Sequence, residues 1–357
     1  MNRELYSKHG GKVVEAGKKY KLKISEIVDF SSSMNDFASV PDPSIIFTRE
    51  NIGLYPGDDS ELRHRIAVYS NVDKEDILLG PGLSYFIYRL ADIYRGKRVG
   101  VIRPTFSEYE KAFRTYGSPV SLFGSDDVQR VKRSIKGKEI DLMCMTRPDT
   151  PTGNIIDEGS VLEIAECCLD ENICLFIDEA FQDFLEPEQR DFSGKLLEKY
   201  PNVILGRSLS KVFSTPSLRA GYIISSHAIL EEFKKRMEPW ALGKPILDFF
   251  LGCRFEKIEE DSIQMRAERD YLTDRMEEIG FQLVGKPSAN YVCFNCPGEV
   301  DTAKLCEYLA RNGILIRTLD DYPEFGARYF RVSVKRREKN DLLISRLTQY
   351  LSTQNKK

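Results

Sequence analysis

The segment Ile173-Cys174-Leu175-Phe176-Ile177, followed at once by Asp178-Glu179, decides the fold of this chain. An unbroken apolar run, without the alternation of a half-buried strand, is typical of a strand that is buried on both faces. A carboxylate at the end of such a run needs a cationic or protonated partner, because a dry environment penalises an isolated charge. The segment therefore predicts a buried strand that delivers Asp178 to a ligand, with a helix N-cap or a solvated strand end as the simpler alternative.

Similar apolar runs recur through the middle of the chain, separated by amphipathic stretches such as 161–169 and 194–200. This alternation predicts an α/β domain with a mostly parallel sheet. Ligands of such sheets bind at the carboxyl ends of the strands. The other runs are 76–79, 98–102, 141–145, 202–205 and 221–224.

The pattern changes after about residue 235, where a long charged helix is predicted for 256–278 and short strands then mix with helices. This part of the chain predicts a smaller α+β domain, and the first forty residues are predicted to form an arm that joins it. We therefore expect an N-terminal arm over 1–40, a large ligand-binding domain over 41–240 and a small domain over 241–357.

Composition narrows the function classes. The 357 residues are 41% hydrophobic and 30% charged, with a net charge of −3, so no basic field is available to attract nucleic acid or an anionic membrane. The longest apolar stretch, 246–253, is interrupted and too short to span a bilayer, and the N-terminus lacks the apolar core of a secretory signal. We expect a cytoplasmic protein.

Eight scattered cysteines are expected to be reduced thiols in that compartment. Cys293 and Cys296 have the spacing of metal ligands, but no second pair follows at zinc-site spacing. Packed apolar side chains in a sheet are the favoured interpretation, and no metal site is expected.

A second informative segment is Ser208-Leu209-Ser210-Lys211, with Arg219 eight positions after the lysine. A lysine amine can condense with an aldehyde, and small hydroxyls and a guanidinium are suited to a phosphate group. The segment predicts a site for a phosphorylated aldehyde. A serine-rich loop with a surface lysine is the alternative.

Three more segments follow predicted strands. Leu79-Gly80-Pro81-Gly82-Leu83-Ser84 opens a helix, whose N-terminal N–H groups favour a phosphate. Phe106 is placed to stack on a flat ligand, and the turn 148–153 is able to present Thr150. Ordinary turns and core packing are the alternatives for each.

Together these segments resemble the aminotransferase-like, fold type I family of pyridoxal phosphate enzymes, over nearly the whole chain and in the family's order. The similarity is greatest to the histidinol-phosphate aminotransferase subgroup. Within it, the opening His9-Gly10-Gly11 points to the branch that decarboxylates threonine phosphate in cobalamin synthesis. Further segments that carry the resemblance are Tyr55-Pro56, Ser60-Glu61-Leu62-Arg63, Asp178-Glu179-Ala180-Phe181, Arg207-Ser208-Leu209-Ser210-Lys211, Ser288-Ala289-Asn290-Tyr291 and Phe330-Arg331-Val332-Ser333.

The resemblance implies a large domain with a mostly parallel sheet, a smaller α+β domain, and pyridoxal 5'-phosphate as cofactor. Lys211 would form the Schiff base and move protons, Asp178 would pair with the pyridine nitrogen, and Phe106 would stack on the ring. The implied phosphate ligands are Gly82, Leu83, Ser84, Ser208, Ser210, Arg219 and, from a neighbouring subunit, Tyr55. A homodimer with shared sites is therefore expected. Substrate contacts are implied for His9, Ser33, Arg317 and Arg331.

Some positions depart from the family pattern. Thr150 stands where the family has an asparagine that donates to the phenolic oxygen of the cofactor, and Phe181 stands where many aminotransferases have tyrosine. Ser33 stands where the decarboxylase branch tends to have asparagine near the substrate phosphate. These departures bear more on the substrate than on cofactor binding.

Three functions remain open at this stage. The favoured one is decarboxylation of L-threonine O-3-phosphate, a small phosphorylated amino acid. The second is transamination of histidinol phosphate, aspartate or an aromatic amino acid. A non-catalytic protein that binds a ligand on this fold is the third.

Overall fold

Helices and strands alternate along most of the chain in the computed structural model, which describes residues 9–298 and 300–354. The strands are β1 Val28–Asp29, β2 Ile77–Gly80, β3 Val99–Arg103, β4 Val120–Gly124, β5 Leu142–Thr146, β6 Cys174–Asp178, β7 Val203–Arg207, β8 Gly221–Ile224, β9 Gln282–Val284, β10 Tyr291–Asn295, β11 Ile314–Leu315, β12 Arg317–Thr318 and β13 Tyr329–Ser333. The helices are α1 Val13–Tyr20, α2 Pro43–Ile46, α3 Arg49–Ile52, α4 Ser60–Ser70, α5 Leu83–Ile93, α6 Glu108–Thr115, α7 Val128–Lys136, α8 Glu158–Asp170, α9 Pro187–Lys199, α10 Leu209–Val212, α11 His227–Lys234, α12 Lys244–Gly252, α13 Ile258–Glu278, α14 Thr302–Arg311 and α15 Arg337–Gln354.

The chain forms two units. The large unit contains Ala38–Asp149 and Ile155–Glu260, and the small unit contains Met1–Phe37, Thr150–Asn154 and Asp261–Lys357. The domain boundaries at 40/41 and 240/241 stay a prediction. Among the described residues, no helix combines the length and the apolar character that crossing a membrane requires.

A seven-stranded sheet organises the large unit, in the order β2-β8-β7-β6-β5-β3-β4. Only β8 runs against the others, because it pairs antiparallel with both β2 and β7. The mostly parallel sheet expected from the sequence is thereby confirmed. Its central strand is β6, so the acid at the end of that strand lies in the middle of the carboxyl edge.

Both faces of this sheet are covered, which explains the unbroken apolar runs. In β5, Leu142 and Cys144 pack into the hydrophobic cluster on one face, while Met143 and Met145 pack into the cluster on the other. Helices α5 and α6 contribute buried residues to the first cluster, and α8 and α12 contribute to the second.

The small unit is built on an antiparallel sheet in the order β12-β13-β10-β9. Strand β1, near the start of the chain, pairs in parallel with β11, so Val28 lies opposite Ile314 and Asp29 lies opposite Leu315. The additional small α+β unit expected from the sequence is present. Cys293 and Cys296, which were expected to be packed apolar side chains, are both buried in this unit.

Candidate functional site

The carboxyl edge of the large sheet brings together two of the predicted residues. Strands β6 and β7 are parallel, with Asp178 opposite Gly206, so Asp178 and the segment that follows Arg207 leave the sheet side by side. Lys211 lies within the single turn of α10, which starts directly after Ser208. Its Nζ is 5.4 Å from the centroid of the Phe181 ring, on the loop after β6.

Asp178 is a buried carboxylate with two hydrogen-bond donors. Tyr109 donates its hydroxyl to Oδ2 at 2.7 Å, and the Ala180 backbone N–H donates to Oδ1 at 2.9 Å. Burial raises the pKa of Asp178 to about 6, although both hydrogen bonds and the charge of Lys211 act in the opposite direction. A carboxylate held in this way is suited to a protonated ring nitrogen.

A cradle for an anion forms where α5 begins. The N-cap residue Gly82 has φ +82° and no side chain to cap the helix, so the first N–H groups, of Leu83 and Ser84, are presented at the helix start. A Cβ at Gly82 would come within 2.9 Å of the Arg219 Nη2 atom. Helix start and guanidinium therefore converge on one small volume, which is the arrangement that a phosphate requires.

Two neighbouring features complete the cradle. Arg219 has a φ of +50°, a conformation that costs a residue with a Cβ free energy and is concentrated at ligand sites. Ser208 and Ser210 are buried, and the Ser210 Oγ accepts at 3.1 Å from the N–H of Ala220, the residue after Arg219. Glycine is required at 221 as well, since a Cβ there would lie 2.7 Å from the Arg207 carbonyl oxygen.

These residues fit pyridoxal phosphate. The cradle at Gly82 and Arg219 would suit the phosphate, Lys211 would supply an amine for the aldehyde, and Asp178 would supply a carboxylate for the ring nitrogen. Phe106 follows β3 at the same edge of the sheet and is half-buried. Its stacking on the cofactor stays a prediction.

Tyr55 is not part of this cluster. It is 76% exposed, and its ring lies 4.6 Å, centroid to centroid, from the ring of Trp240, which is also exposed. The role expected for Tyr55 in a neighbouring subunit's site stays a prediction.

In the small unit, Arg331 of β13 is the most informative cation. It donates to the Thr150 hydroxyl at 2.8 Å and to the Ser31 carbonyl at 3.4 Å, and its guanidinium lies 4.9 Å from the Tyr291 ring centroid. Its Nε is buried without an acceptor, and within residues 9–298 and 300–354 no carboxylate forms an ion pair with it. Burial lowers the pKa of Arg331, but a guanidinium stays charged at neutral pH. A bound anion would therefore compensate the charge of this guanidinium.

Thr150 belongs to the same small unit, within the segment Thr150–Asn154. Its hydroxyl already accepts a hydrogen bond from Arg331, so the residue that replaces the family's asparagine is tied to an arginine predicted to contact the substrate. A direct contact of Thr150 with the cofactor stays a prediction.

Arg317, the second arginine predicted to bind the substrate, already has an acidic partner. Its Nη2 lies 2.8 Å and 2.7 Å from the two carboxylate oxygens of Asp321, and Nη1 donates to the Thr318 carbonyl. A substrate anion would have to share this guanidinium with Asp321 or replace it.

The opening segment is anchored to Ser31, two residues after β1. The Gly11 N–H donates to the Ser31 Oγ at 2.9 Å, and a Cβ at Gly10 would lie 2.1 Å from the Ser31 carbonyl oxygen, so only glycine fits there. His9 itself is exposed. Ser33 is 1% exposed, and its Oγ has no hydrogen-bond partner among the described atoms. A buried hydroxyl without a partner is compatible with the predicted ligand contact.

The sequence analysis missed a buried ionic network next to Asp178. Glu179 pairs with Arg207 at 3.1 Å and accepts from the Ser193 hydroxyl, and Arg207 also donates to the Ser70 Oγ at 3.1 Å. The Tyr109 hydroxyl was missed too. These contacts join residues far apart in the chain, so no local motif announces them.

Known proteins similar to this chain identify its family. The family model described as aminotransferase class I and II matches residues 27–347. The chain is 28% identical over 362 residues to a threonine-phosphate decarboxylase of Salmonella typhimurium, covering 97% of each chain. It is also 28% identical over 349 residues to a histidinol-phosphate aminotransferase of Methanosarcina mazei, covering 94% of this chain and 91% of that one.

Among solved structures, a histidinol-phosphate aminotransferase from Sinorhizobium meliloti in complex with pyridoxal-5'-phosphate superimposes with a TM-score of 0.82. It covers 95% of this chain and 94% of its own, at 17% identity, and therefore shows a shared fold. The match of the family model over most of the chain, together with relatives along nearly its full length, identifies the protein: it belongs to the aminotransferase class I and II family and is a pyridoxal phosphate-dependent enzyme.

Proposed function

We propose that this enzyme decarboxylates a small phosphorylated amino acid, L-threonine O-3-phosphate being the favoured substrate. One observation carries the proposal: a continuous series of hydrogen bonds joins Gly11 to Ser31, Ser31 to Arg331 and Arg331 to Thr150. The His-Gly-Gly opening that points to the decarboxylase branch is thereby attached to the residue that we assign to the substrate carboxylate.

The charges of the small unit support an acidic substrate. In the described part of the chain, Arg331, whose Nε is buried, has no acidic partner, so a substrate carboxylate would compensate its charge. The buried Ser33 hydroxyl has no hydrogen-bond partner among the described atoms, and His9 is an exposed imidazole. We assign both to the distal phosphate. Arg317 would join them once its pair with Asp321 opens.

When bound, pyridoxal phosphate withdraws electrons from the bonds at the substrate Cα. In our proposal Asp178 keeps the ring nitrogen protonated, and the helix start at Leu83 and Ser84 with Arg219 fixes the phosphate. Arg331 orients the substrate carboxylate, and that orientation decides whether carbon dioxide or the α-proton leaves. Lys211 Nζ then returns a proton to Cα.

Transamination is the second candidate, because the histidinol-phosphate aminotransferase of M. mazei is as similar to this chain as the S. typhimurium decarboxylase is. The two reactions need the same cofactor site. They differ in the bond that is held perpendicular to the cofactor ring, and hence in the placement of the carboxylate.

The test gives the cofactor-loaded enzyme L-threonine O-3-phosphate with and without 2-oxoglutarate, and measures carbon dioxide and the absorbance of the cofactor. Carbon dioxide release that does not need the keto acid is the expected result. Conversion of the cofactor to its amine form without carbon dioxide, or turnover of L-histidinol phosphate alone, would refute decarboxylation and favour transamination. The Lys211→Ala variant, which we expect to be inactive, is the control.

A further inference from the structure

Tyr109 is placed to act on the cofactor through Asp178. It lies in the first turn of α6, directly after β3, and is 1% exposed. Its ring packs against Phe176 of β6 at a centroid distance of 6.0 Å, which directs the hydroxyl along the strand to Asp178 Oδ2 at 2.7 Å. Sequence reasoning gave this tyrosine no role.

The surroundings of Asp178 leave Tyr109 as its main side-chain donor. Among the described residues, the ionisable groups that act on the carboxylate are Tyr109 from α6, Cys144 from β5, Glu179 directly after β6 and Lys211 from α10. Burial, and to a lesser extent the charge of Glu179, raise the pKa of Asp178, whereas the Tyr109 hydroxyl, the Ala180 N–H and Lys211 lower it. Burial raises the pKa of Tyr109 well above its ordinary value, so its hydroxyl stays a donor at neutral pH.

We propose that Tyr109 is a positioning residue that keeps the Asp178 carboxylate ionised and oriented for the pyridine nitrogen of the cofactor. A carboxylate accepts several hydrogen bonds, so the bonds from Tyr109 and Ala180 leave lone pairs free on each oxygen for the ring N–H. Without the tyrosine hydroxyl, the pKa of the buried carboxyl would rise towards neutral pH, and the larger protonated fraction would no longer attract a protonated ring. The proposal depends on the cofactor and not on the identity of the substrate.

The experiment measures the binding of pyridoxamine 5'-phosphate to the apo-enzyme as a function of pH, by isothermal titration calorimetry. This probe has no aldehyde, so it does not condense with Lys211. The Tyr109→Phe variant keeps the ring that packs against Phe176, and its thermal unfolding midpoint checks the fold. We expect the pH below which affinity is lost to rise by about one unit in this variant. The free energy of a hydrogen bond to a charged group corresponds to a pKa shift of about that size.

Tyr69→Phe is the matched control. Tyr69 also donates its hydroxyl to a buried carboxylate of the large unit, at 2.7 Å from Asp183 Oδ1. This variant loses an equivalent hydrogen bond elsewhere, so its binding profile should keep the wild-type pH dependence.

A double-mutant cycle completes the test. In an Asp178→Asn background, Tyr109→Phe should leave the pH profile unchanged, because no carboxylate remains to titrate. An unshifted profile for Tyr109→Phe alone would overturn the proposal. The same shift with asparagine at position 178 would overturn it as well, because the tyrosine would then act through packing.

Discussion

Asp178 shows at the scale of a single residue how function opposes stability. The carboxylate is 4% exposed, and two hydrogen bonds offset only part of its desolvation. In our proposal, the protonated ring nitrogen of the cofactor would supply the positive charge that offsets the rest. Ionisation of Asp178 is therefore expected to destabilise the protein when the cofactor is absent.

The Asp178→Asn variant tests this cost. The pKa of about 6 in the folded protein lies above the ordinary value of 3.8, so the unfolded chain releases its proton first as pH rises. Stability is consequently lost between about pH 4 and pH 6, by an amount on the order of 3 kcal/mol. Asparagine does not ionise, so urea unfolding should show the apo-variant more stable by that order at about pH 8, with no difference towards pH 4. Equal stability at both pH values would contradict the prediction.

Arg317 and Asp321 supply a prediction about the substrate. Asp321→Asn removes the charge that occupies Arg317, so a distal phosphate should bind more easily. We expect the KM for L-threonine O-3-phosphate to fall about fivefold, which corresponds to about 1 kcal/mol. Asp320→Asn is the control, because Asp320 accepts from the Thr318 hydroxyl at 2.7 Å instead. An unchanged KM in Asp321→Asn would argue against phosphate binding at Arg317.

Sequence reasoning reached Asp178 and Lys211 because each carries a local signal: an acid after an apolar run, and a lysine between small hydroxyls. Tyr109 has no such signal, since its partner lies 69 positions away. The pairing of Arg317 with Asp321 could not be predicted either, because it depends on the conformation of the loop between them. Only the role of Arg317 in the family was inferred from the sequence. Side-chain partners across elements have to be seen in the structure.

At the scale of secondary structure elements, the start of α5 and the loop that carries Arg219 lie together and form the proposed phosphate site. Gly82→Ala should raise the dissociation constant of pyridoxal phosphate about tenfold or more, because the methyl group would displace Arg219 and an L-residue is strained at φ +82°. Gly96→Ala is the matched control, with φ +71° but no atom within 4 Å of the added Cβ. It should lose stability to a similar extent and keep the cofactor affinity of the wild type; equal affinity losses would contradict the cradle.

The elements that were predicted best are the buried strands, because their unbroken apolar runs are typical of strands covered on both faces. Strand β4 was not predicted, because it lies at the edge of the sheet and its Ser121 and Gly124 interrupt the pattern. Helix α9 begins at Pro187, seven residues before the predicted stretch. A proline in the first turn was the available signal for that start.

At the scale of the whole molecule, the exposed aromatic pair Tyr55 and Trp240 supports the homodimer that the family resemblance implies. We expect the protein to sediment as a dimer in analytical ultracentrifugation. Subunits with Tyr55→Ala and subunits with Lys211→Ala should each be inactive, and mixing them after dissociation should restore activity, because one site of each heterodimer then has both residues. Mixtures that stay inactive although heterodimers form would refute the sharing of sites.

We propose above all that Lys211, beside Asp178 and the phosphate cradle, is the point of attachment of pyridoxal phosphate. The most direct measurement is reduction of the loaded enzyme with borohydride, followed by proteolysis and mass spectrometry. A pyridoxyl phosphate adduct on Lys211 alone is the predicted result. An adduct on another lysine, with Lys211 unmodified, would contradict it.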